Sequence, residues 1–330
     1  MLELAFNLDW IGYLAEHRTP LATALFQLFT FIGELEGYVL VVTFIYAAYD
    51  KRLAFRLAVL VLVTMSLNHV LKTLIANPRP FVSEGSYAER WAVSGAKAEE
   101  LASEYSTPSG HAMAGSCFYS YLGASVRSPY LRAAAIATII LVGLSRPYLG
   151  VHYVEDVLIG WALGVPIALL AVRFGEKVAL VWNRRSLAER GLLVVGSSMV
   201  VLFATGPLYE ASPHGQPLPF VSYLGLLSGI VLAYPLEERW VGFDPRSSTA
   251  LRKAVRAAAA VALVIGTLVL LDWLFAQLAS DASILGRVLR YVRYGAAGVV
   301  GMLLAPLLFV RLGLGERRPA REQPQASSSG

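Results

Sequence analysis

The sequence is short of charge. Asp, Glu, Lys and Arg make up 15% of its 330 residues and apolar residues 56%, whereas about 25% of a soluble domain is charged. The folded chain would have too little polar surface to cover itself in water, so the composition predicts a protein that lies in lipid. Long Gly/Ser-rich or charged linkers are also absent, which favours one helical membrane domain over two separate domains.

Cysteine is nearly absent, since Cys117 is the only one in the chain. A single cysteine excludes an intramolecular disulfide and a cysteine metal cluster. Because Cys117 lies in an apolar run, we expect a small buried thiol rather than a reactive one.

The first residues have neither the basic start nor the small-residue cleavage site of a signal peptide. We expect residues 1–29 to form an amphipathic segment at the membrane interface, with Trp10 and Tyr13 as anchors. At the other end, residues 319–330 form a polar tail that we expect to be disordered.

Apolar stretches of about 20 residues, the length at which a helix crosses a bilayer, recur along the chain. They predict an all-α fold, a polytopic transmembrane helical bundle of about nine spans. The stretch 19–49 can be divided in another way around the segment 33–37. The predicted spans lie near 30–49, 54–76, 108–126, 131–147, 153–173, 190–208, 218–235, 254–278 and 294–312.

Basic residues are concentrated on alternate connections between the spans. The positive-inside rule places this face in the cytoplasm together with the C-terminus, and it places the N-terminus outside. One connection disagrees, because 279–293 carries three arginines on the outer face. Since the basic residues report orientation, we expect no nucleic-acid partner. The basic connections are 50–56, 127–132, 173–190, 239–256 and the residues from Arg311 onward; the outer connections are 77–107, 146–153 and 208–218.

The first segment that carries chemistry runs from Lys72 to Pro80 and includes Arg79. Lys72 and Arg79 are seven residues apart, so on a continuous helix they share one face. Charges near the end of a span are costly in lipid unless they face a partner or an aqueous cavity. The alternative is that both side chains snorkel to the interface.

The second segment is Ser106-Thr107-Pro108-Ser109-Gly110-His111. We expect Ser106 or Thr107 to cap a helix that has Pro108 in its first turn. The backbone N–H groups of Ser109, Gly110 and His111 are then free at the positive end of that helix, where anions bind. An ordinary capped helix start explains everything in this segment except the histidine.

The third segment runs from Ser145 to Asp156, with Arg146, a Pro147–Gly150 turn and His152. If His152 and Asp156 stand at positions i and i+4 of the next helix, the carboxylate reaches back to the imidazole. A carboxylate on one ring nitrogen leaves the other free as a base or nucleophile. A structural histidine satisfied by a neighbouring acid is the alternative. We expect six ionisable side chains of the three segments to lie at one membrane depth, and a single anionic ligand explains them all.

The three segments resemble the signature motifs of the type-2 phosphatidic acid phosphatase superfamily: Lys-x6-Arg-Pro, Pro-Ser-Gly-His and Ser-Arg-x5-His-x3-Asp. The order and the spacing agree at 72–80, 108–111 and 145–156. The resemblance implies a phosphatase catalytic membrane core over 30–173 and leaves 174–318 as additional transmembrane helices. The layout of about nine spans is more similar to the glucose-6-phosphatase branch than to six-span lipid phosphatases.

The resemblance also implies roles. His152 is the nucleophile, Asp156 orients it, and His111 is the acid and base. The residues implied to hold the phosphoryl oxygens are Lys72, Arg79, Ser109, Gly110 and Arg146. No metal and no cofactor are expected, because three cations and a helix end supply positive charge and the sequence has no Asp/Glu cluster suited to Mg²⁺.

The expected function is hydrolysis of a phosphate monoester or diphosphate of a membrane lipid by a phosphoric monoester hydrolase that faces outside. Its expected partners are that lipid phosphate substrate and the phospholipid bilayer, and the sequence carries no signal for an oligomeric state. Three alternatives stay open: a sugar phosphatase of the glucose-6-phosphatase kind, a phosphotransferase, and a non-catalytic phospholipid binder or transporter.

Several polar residues lie outside the three motif segments. Arg287, Arg290 and Arg293 recur every third residue, either as a basic interfacial helix or as a site for a second phosphate of the headgroup. We expect His69 to be a packed residue of its span. Glu34 and Glu36 are expected to mark the outer interface of the first span.

Overall fold

The computed structural model describes residues 4, 6–210, 218–281 and 283–318, with the side chains of 205–210 and 218 excluded. The predicted tail 319–330 and most of the 208–218 connection therefore lie outside the described residues. The helices are α1 (Asp9–Glu16), α2 (Pro20–Ile32), α3 (Leu35–Ala48), α4 (Lys51–Ile75), α5 (Tyr87–Arg90), α6 (Gly95–Ala102), α7 (Gly110–Ser125), α8 (Pro129–Tyr148), α9 (Val154–Asn183), α10 (Leu187–Glu210), α11 (Leu218–Trp240), α12 (Ala250–Ala276), α13 (Ile284–Val299) and α14 (Ala305–Arg311).

Among the described residues, seven helices are long and apolar enough to cross a membrane, or eight if α2 and α3 form one span. With α7, which has 16 residues, they correspond to the predicted spans and confirm the all-α polytopic bundle. Two boundaries differ from the prediction. The stretch 19–49 is divided at its 33–37 segment, where α2 and α3 meet at a 60° bend, and the first span begins at Pro20 if the two helices form one span. The last begins at Ile284, because α13 continues through a π-helical turn (Val300–Leu304) into α14.

Short capping signals in the sequence fix where several spans begin. The Asp50 carboxylate accepts the backbone N–H groups of Arg52 and Leu53 at the start of α4. At the start of α8, Ser128 caps the helix and Pro129 follows as its first residue, where the absent proline N–H has no helical partner to lose.

Helix α7 packs against α4, α8 and α9 in the half of the bundle that carries the three motif segments. Gly160 and Gly164 of α9 face α7, and this lets the two backbones approach closely. A Cβ atom on Gly160 would lie 2.9 Å from the Ala112 Cβ and 3.0 Å from the Ser109 carbonyl oxygen. This contact therefore fixes the height of the Pro-Ser-Gly-His segment against α9.

The second half of the bundle is attached through α11, which packs against α4 and α13, while α12 packs against α3 and α13. At the end of the bundle where α4 begins, the Lys51 ammonium lies 2.7 Å from the Glu237 carboxylate of α11, and both side chains are buried. A two-stranded antiparallel sheet, β1 (Phe243–Asp244) with β2 (Glu316–Arg317), closes the same end.

A separate apolar cluster covers the other end of the bundle. Ile11 of α1 packs there with residues of the 77–107 connection and of the turn after α8, and the Trp91 indole N–H donates to the Pro80 carbonyl (3.1 Å). Trp10 and Tyr13 remain exposed on α1. Their role as interfacial anchors stays a prediction.

The close approach of α7 and α9 generates a stability prediction. Replacing Gly160→Ala forces the helices apart and should lower the free energy of unfolding by about 1–3 kcal/mol. Gly175→Ala is the matched control on the same helix, because no atom lies within 4 Å of its added Cβ. The control should be neutral or stabilising by up to about 1 kcal/mol. Thermal unfolding in detergent measures both, and equal effects at the two positions would contradict the packing described here.

Candidate active site

A cavity of about 240 Å³ lies between the end of α4, the start of α7, the bend between α2 and α3, and the N-terminal parts of α11 and α13. The predicted site residues that line it are His152, His111, Lys72, Arg79, Gly110 and Arg290. The two histidine side chains and the first-motif cations therefore face one space, although they come from three separate segments of the chain.

His152 is held from behind by Asp156. The imidazole Nδ1 is 3.2 Å from the Asp156 Oδ2, which also accepts the backbone N–H of Tyr153 (2.9 Å). The expectation that both residues stand on one helix was wrong, because α9 begins only at Val154. Asp156 lies in the first turn of α9 and reaches back across the helix start, so the contact forms without a helical His152.

The hydroxyl groups of Ser106 and Thr107 both donate to the Asp156 carboxylate. The prediction that one of them caps a helix was wrong. The cap is Ser109, whose hydroxyl accepts the Ala112 N–H (3.4 Å), and α7 begins at Gly110. The Ser109 N–H donates to the Asp156 backbone carbonyl (3.1 Å), so this group is not available to a ligand.

The hydrogen bonds of His152 define its tautomer. Arg79 has donors only, and its Nη1 lies 3.0 Å from the His152 Nε2. The Nε2 atom must therefore present its lone pair, and the proton lies on Nδ1 beside the Asp156 carboxylate. Burial, followed by the positive charges of Arg79 and Arg146, holds the pKa of His152 well below its usual range. His152 is therefore a neutral imidazole with its Nε2 lone pair directed toward the cations.

Lys72 and Arg79 converge on a residue that the sequence did not single out. The Glu104 Oε2 lies 3.1 Å from the Lys72 Nζ and 3.2 Å from the Arg79 Nη2. Burial alone would raise the pKa of Glu104, but the charges of Lys72, His69 and Arg79 outweigh it and hold the pKa well below the usual range. The expectation that Lys72 and Arg79 lie on one continuous helix was wrong, because α4 ends at Ile75, before Pro78.

His111 opens into the cavity at the first turn of α7. Its Nε2 lies 3.8 Å from the Glu34 Oε1 and has no hydrogen-bond partner among the described residues. Gly33 lies beside the ring, since a Cβ on it would come 3.3 Å from the His111 Cδ2. Glu34, which we expected to mark the outer interface, is thus part of the cavity wall at the bend between α2 and α3.

Gly110 has a steric reason to be glycine. A Cβ at this position would lie 3.0 Å from the Asn68 Oδ1, while the Asn68 Nδ2 donates to the Pro108 carbonyl (3.0 Å). Asn68 thereby positions the second motif from α4, a role that nothing in the motif spacing indicated.

Arg146 is buried beside the cavity and does not line it. Its Nη1 donates to the Thr30 hydroxyl (3.0 Å), and its Nε has no hydrogen-bond partner among the residues that the structure describes. The guanidinium charge interacts with those of Arg79 and Glu34. Arg146 therefore adds positive charge to the site from behind.

The three arginines of α13 have different environments. Arg290 lines the cavity, with its Nε 2.8 Å from the Ser222 hydroxyl and its Nη1 2.9 Å from the Asp281 carboxylate. Arg293 is buried and paired with Asp272. Arg287 and Arg293 are not among the residues that line the cavity. The sequence placed all three arginines in a connection between spans. In the structure they lie within a helix long and apolar enough to cross a membrane, Ile284–Arg311.

Other residues outside the motifs behave as follows. His69 packs against Phe220 and Tyr223, with ring centroids 5.6 Å apart in both pairs, which confirms a packed span residue; it also lines the cavity. Cys117 is buried, as expected. In the described ranges, no group of three or more His, Cys, Asp or Glu side chains is arranged to hold a metal ion.

Comparison with known proteins identifies the family. The model of the PAP2 superfamily matches residues 53–179, and the model of the PAP2 superfamily phosphatase transmembrane extension matches residues 221–317. Together they cover about two thirds of the sequence. The chain belongs to the PAP2 superfamily, as its motifs indicated, and it is a multi-pass integral membrane protein.

The similar curated proteins are lipid phosphatases by name. Phosphatidylglycerophosphatase B of Bacillus subtilis (strain 168) is 40% identical over 87 residues, which is 23% of this chain and 42% of that protein. Lipid phosphate phosphatase delta of Arabidopsis thaliana is 28% identical over 193 residues, 55% of this chain and 43% of that protein. The chain therefore spans less than half the length of either relative.

Two solved structures are similar to part of the chain. One is the first transmembrane PAP2 type phosphatidylglycerolphosphate phosphatase from Bacillus subtilis, with 27% identity, a TM-score of 0.40, and coverage of 51% of this chain and 84% of that one. The other is Aquifex aeolicus LpxE, with 20% identity, a TM-score of 0.42, and coverage of 52% of this chain and 96% of that one.

Proposed function

We propose that this protein hydrolyses a phosphate monoester or diphosphate of a membrane lipid through a phosphohistidine intermediate on His152. The single observation that carries the proposal is the arrangement of this side chain: its Nδ1 faces the Asp156 carboxylate while its Nε2 lone pair faces Arg79 at the cavity wall. A site that only binds phosphate needs the cations but has no use for an oriented imidazole.

The proposed reaction has two halves that both use Nε2. In the first, the Nε2 lone pair attacks phosphorus, the bond to the ester oxygen breaks, and His111 gives its proton to that oxygen. In the second, neutral His111 takes a proton from water, the water oxygen attacks phosphorus, and the phosphorus–nitrogen bond breaks. Asp156 stabilises the positive imidazole that exists between the two halves.

Positive charge already present in the protein would stabilise the transition state. Lys72 and Arg79 line the cavity, and Arg146 lies behind it. The backbone N–H groups of Gly110 and His111 are in the first turn of α7, at the positive end of the helix. Such prearranged charges and dipoles stabilise the charge that spreads over the phosphoryl oxygens. For Arg79 to bind the phosphoryl group, its Nη1 must turn from Nε2 toward those oxygens, and this turn also frees the nucleophile.

The surroundings of the cavity support a lipid substrate. Its walls are the ends of helices that cross the membrane, and 240 Å³ accommodates a headgroup while an acyl chain stays in the bilayer. We propose that the site faces outside. The exposed basic residues Arg173, Lys177, Arg184 and Arg185 lie at the C-terminal end of α9, the helix whose first turn carries Asp156, and the positive-inside rule places that end in the cytoplasm.

Replacing His152→Ala tests the nucleophile. Phosphate release from lipid phosphates in detergent, with a chelator present, should fall by about 10⁴-fold or more. Wild type stopped early with radiolabelled substrate should carry phosphate in an acid-labile, alkali-stable linkage, and the variant should carry none.

His17→Ala is the matched control for this test, because His17 is exposed at the C-terminal end of α1 and is not among the residues that line the cavity. It should retain wild-type release and labelling. Hydrolysis that survives in the His152 variant would show that the nucleophile is another residue. No release from any lipid or sugar phosphate by wild type would favour a binder.

We further propose that Arg290 recognises a second anionic group of the substrate headgroup. Ser222 and Asp281 hold the Arg290 guanidinium at the wall of the cavity that Lys72 and Arg79 also line. The sequence suggested this role for all three arginines of α13. Because Arg290 lines the cavity and the other two do not, we assign the role to Arg290. A diphosphate or a phosphoglycerol phosphate has a second charge that reaches beyond the phosphoryl group.

Arg290→Ala should therefore change substrate ranking. Loss of one charge-assisted contact costs about 1.5–3 kcal/mol, so kcat/KM for a lipid diphosphate should fall at least tenfold relative to a lipid monophosphate. Arg252→Ala removes an equal charge from an exposed site on α12 and should leave the ranking unchanged. An unchanged ranking in the Arg290 variant would remove Arg290 from headgroup recognition.

A further inference from the structure

We call the proposed phosphate-binding position between Lys72 and Arg79 the cradle. In this structure the side chain of Glu104 occupies it. The Glu104 Oε2 takes one donor from Lys72 and one from Arg79, and the Glu104 backbone carbonyl takes the Arg79 Nε (3.1 Å). Both cations are buried, whereas 18% of the Glu104 side chain is exposed. Carboxylate and phosphate oxygens use the same charge-assisted donors, so this carboxylate lies where phosphoryl oxygens would bind.

Arg79 has no unused nitrogen in this arrangement. Its Nη2 and Nε are held by Glu104, and its Nη1 is shared by the Val151 carbonyl (3.0 Å) and the His152 Nε2. A phosphoryl oxygen can bridge the Lys72 Nζ and the Arg79 Nη2, as the Glu104 Oε2 does, only if the Glu104 carboxylate leaves that position. Glu104 and a phosphoryl oxygen therefore compete for the same place between the two cations.

Glu104 lies in the connection between α4 and α7, outside the spanning helices. It follows α6, a helix of eight residues within the 77–107 connection. It is therefore distant in sequence from His152 and Asp156 of the third motif segment. Since the nearby cations also hold its pKa low, the residue presents a negative charge throughout the physiological pH range. Withdrawal of the Glu104 side chain breaks the Oε2 contacts with Lys72 and Arg79, and the oxygens of a bound phosphoryl group can replace both contacts.

We propose that Glu104 is a built-in competitor of the phosphoryl group, which occupies the cradle until a dianionic phosphate displaces it. The inference rests on the cradle of the proposed function and adds a basis for selectivity. A phosphate monoester carries a charge of about −1.5 to −2 at pH 7, more than the single charge of a carboxylate. A phosphodiester carries a single charge, and so gains little by displacing Glu104. The carboxylate thereby excludes the abundant phosphodiester lipids that surround the site.

Glu104→Gln tests the competition, because the amide keeps the shape and removes the charge. Equilibrium binding of inorganic phosphate to the detergent-solubilised full chain should tighten by about tenfold, since the competing state no longer reduces the available fraction. Phosphatidylglycerol in mixed micelles should also become a measurable competitor of phosphate. Glu100→Gln is the matched control, because Glu100 lines the same cavity but pairs with the exposed Lys97; it should behave as wild type.

Weaker or unchanged phosphate binding in the Glu104→Gln protein would overturn the proposal, because it would make Glu104 a partner that stays with Arg79 in the complex. If that variant does not fold, Glu104→Asp keeps the charge on a shorter side chain and decides the matter: tighter binding than wild type supports displacement, and equal or weaker binding overturns it. Binding of inorganic phosphate does not require hydrolysis. Failure of the hydrolysis assay would therefore reject the proposed function, while the binding data would still test the competition by Glu104.

Discussion

Charge burial is the constraint on which the site depends. Lys72, Arg79 and Arg146 are each nearly inaccessible to solvent, and cations placed so close together in a membrane protein repel one another and lose hydration. The described structure compensates with the carboxylates of Glu104 and Glu34 and with backbone carbonyls. A phosphoryl group supplies the same compensation, and this is why an arrangement that is costly for stability is suited to holding it.

The fold brings this charge together through a few local contacts. Asn68 of α4 holds Pro108, the Asp156 backbone carbonyl holds Ser109, and Gly160 lets α9 approach the start of α7. The bond between Ser109 and Asp156 joins the second and third motif segments directly, and the other two contacts join the second segment to α4 and α9. The second half of the bundle also takes part, because Tyr223 and Arg290 complete the cavity wall. The C-terminal helices therefore have a part in the site as well as in packing, which the motifs alone do not indicate.

The sequence predicts the membrane class, the approximate spans and the core of the site, because hydrophobic length and motif spacing are local properties. It does not predict Glu104, whose partners are 25 and 32 residues away in a connection with no regular pattern. It also misplaces the cap of α7, since Ser106, Thr107 and Ser109 are all good capping residues. The hydroxyls of Ser106 and Thr107 instead donate to Asp156 of α9, a contact that depends on how the helices pack.

The position of Arg290 shows the same limit. Its spacing from Arg287 and Arg293 is that of a basic helix face, but the separate pairings with Ser222, Asp281 and Asp272 depend on how α11, α12 and α13 pack. Hydropathy also assigned 279–293 to a connection, because three arginines lower its mean. These partners stabilise the charges of Arg290 and Arg293 within the span, and sequence periodicity does not predict them.

A structure of the protein with bound orthovanadate, which mimics the pentacoordinate phosphorus of the transition state, tests the central claim most directly. The account predicts vanadium bonded to the His152 Nε2, its oxygens contacted by Lys72, Arg79 and the Gly110 N–H, and the Glu104 carboxylate withdrawn from both cations. Vanadate bound away from His152, or bound in the cradle with Glu104 still between Lys72 and Arg79, would contradict it.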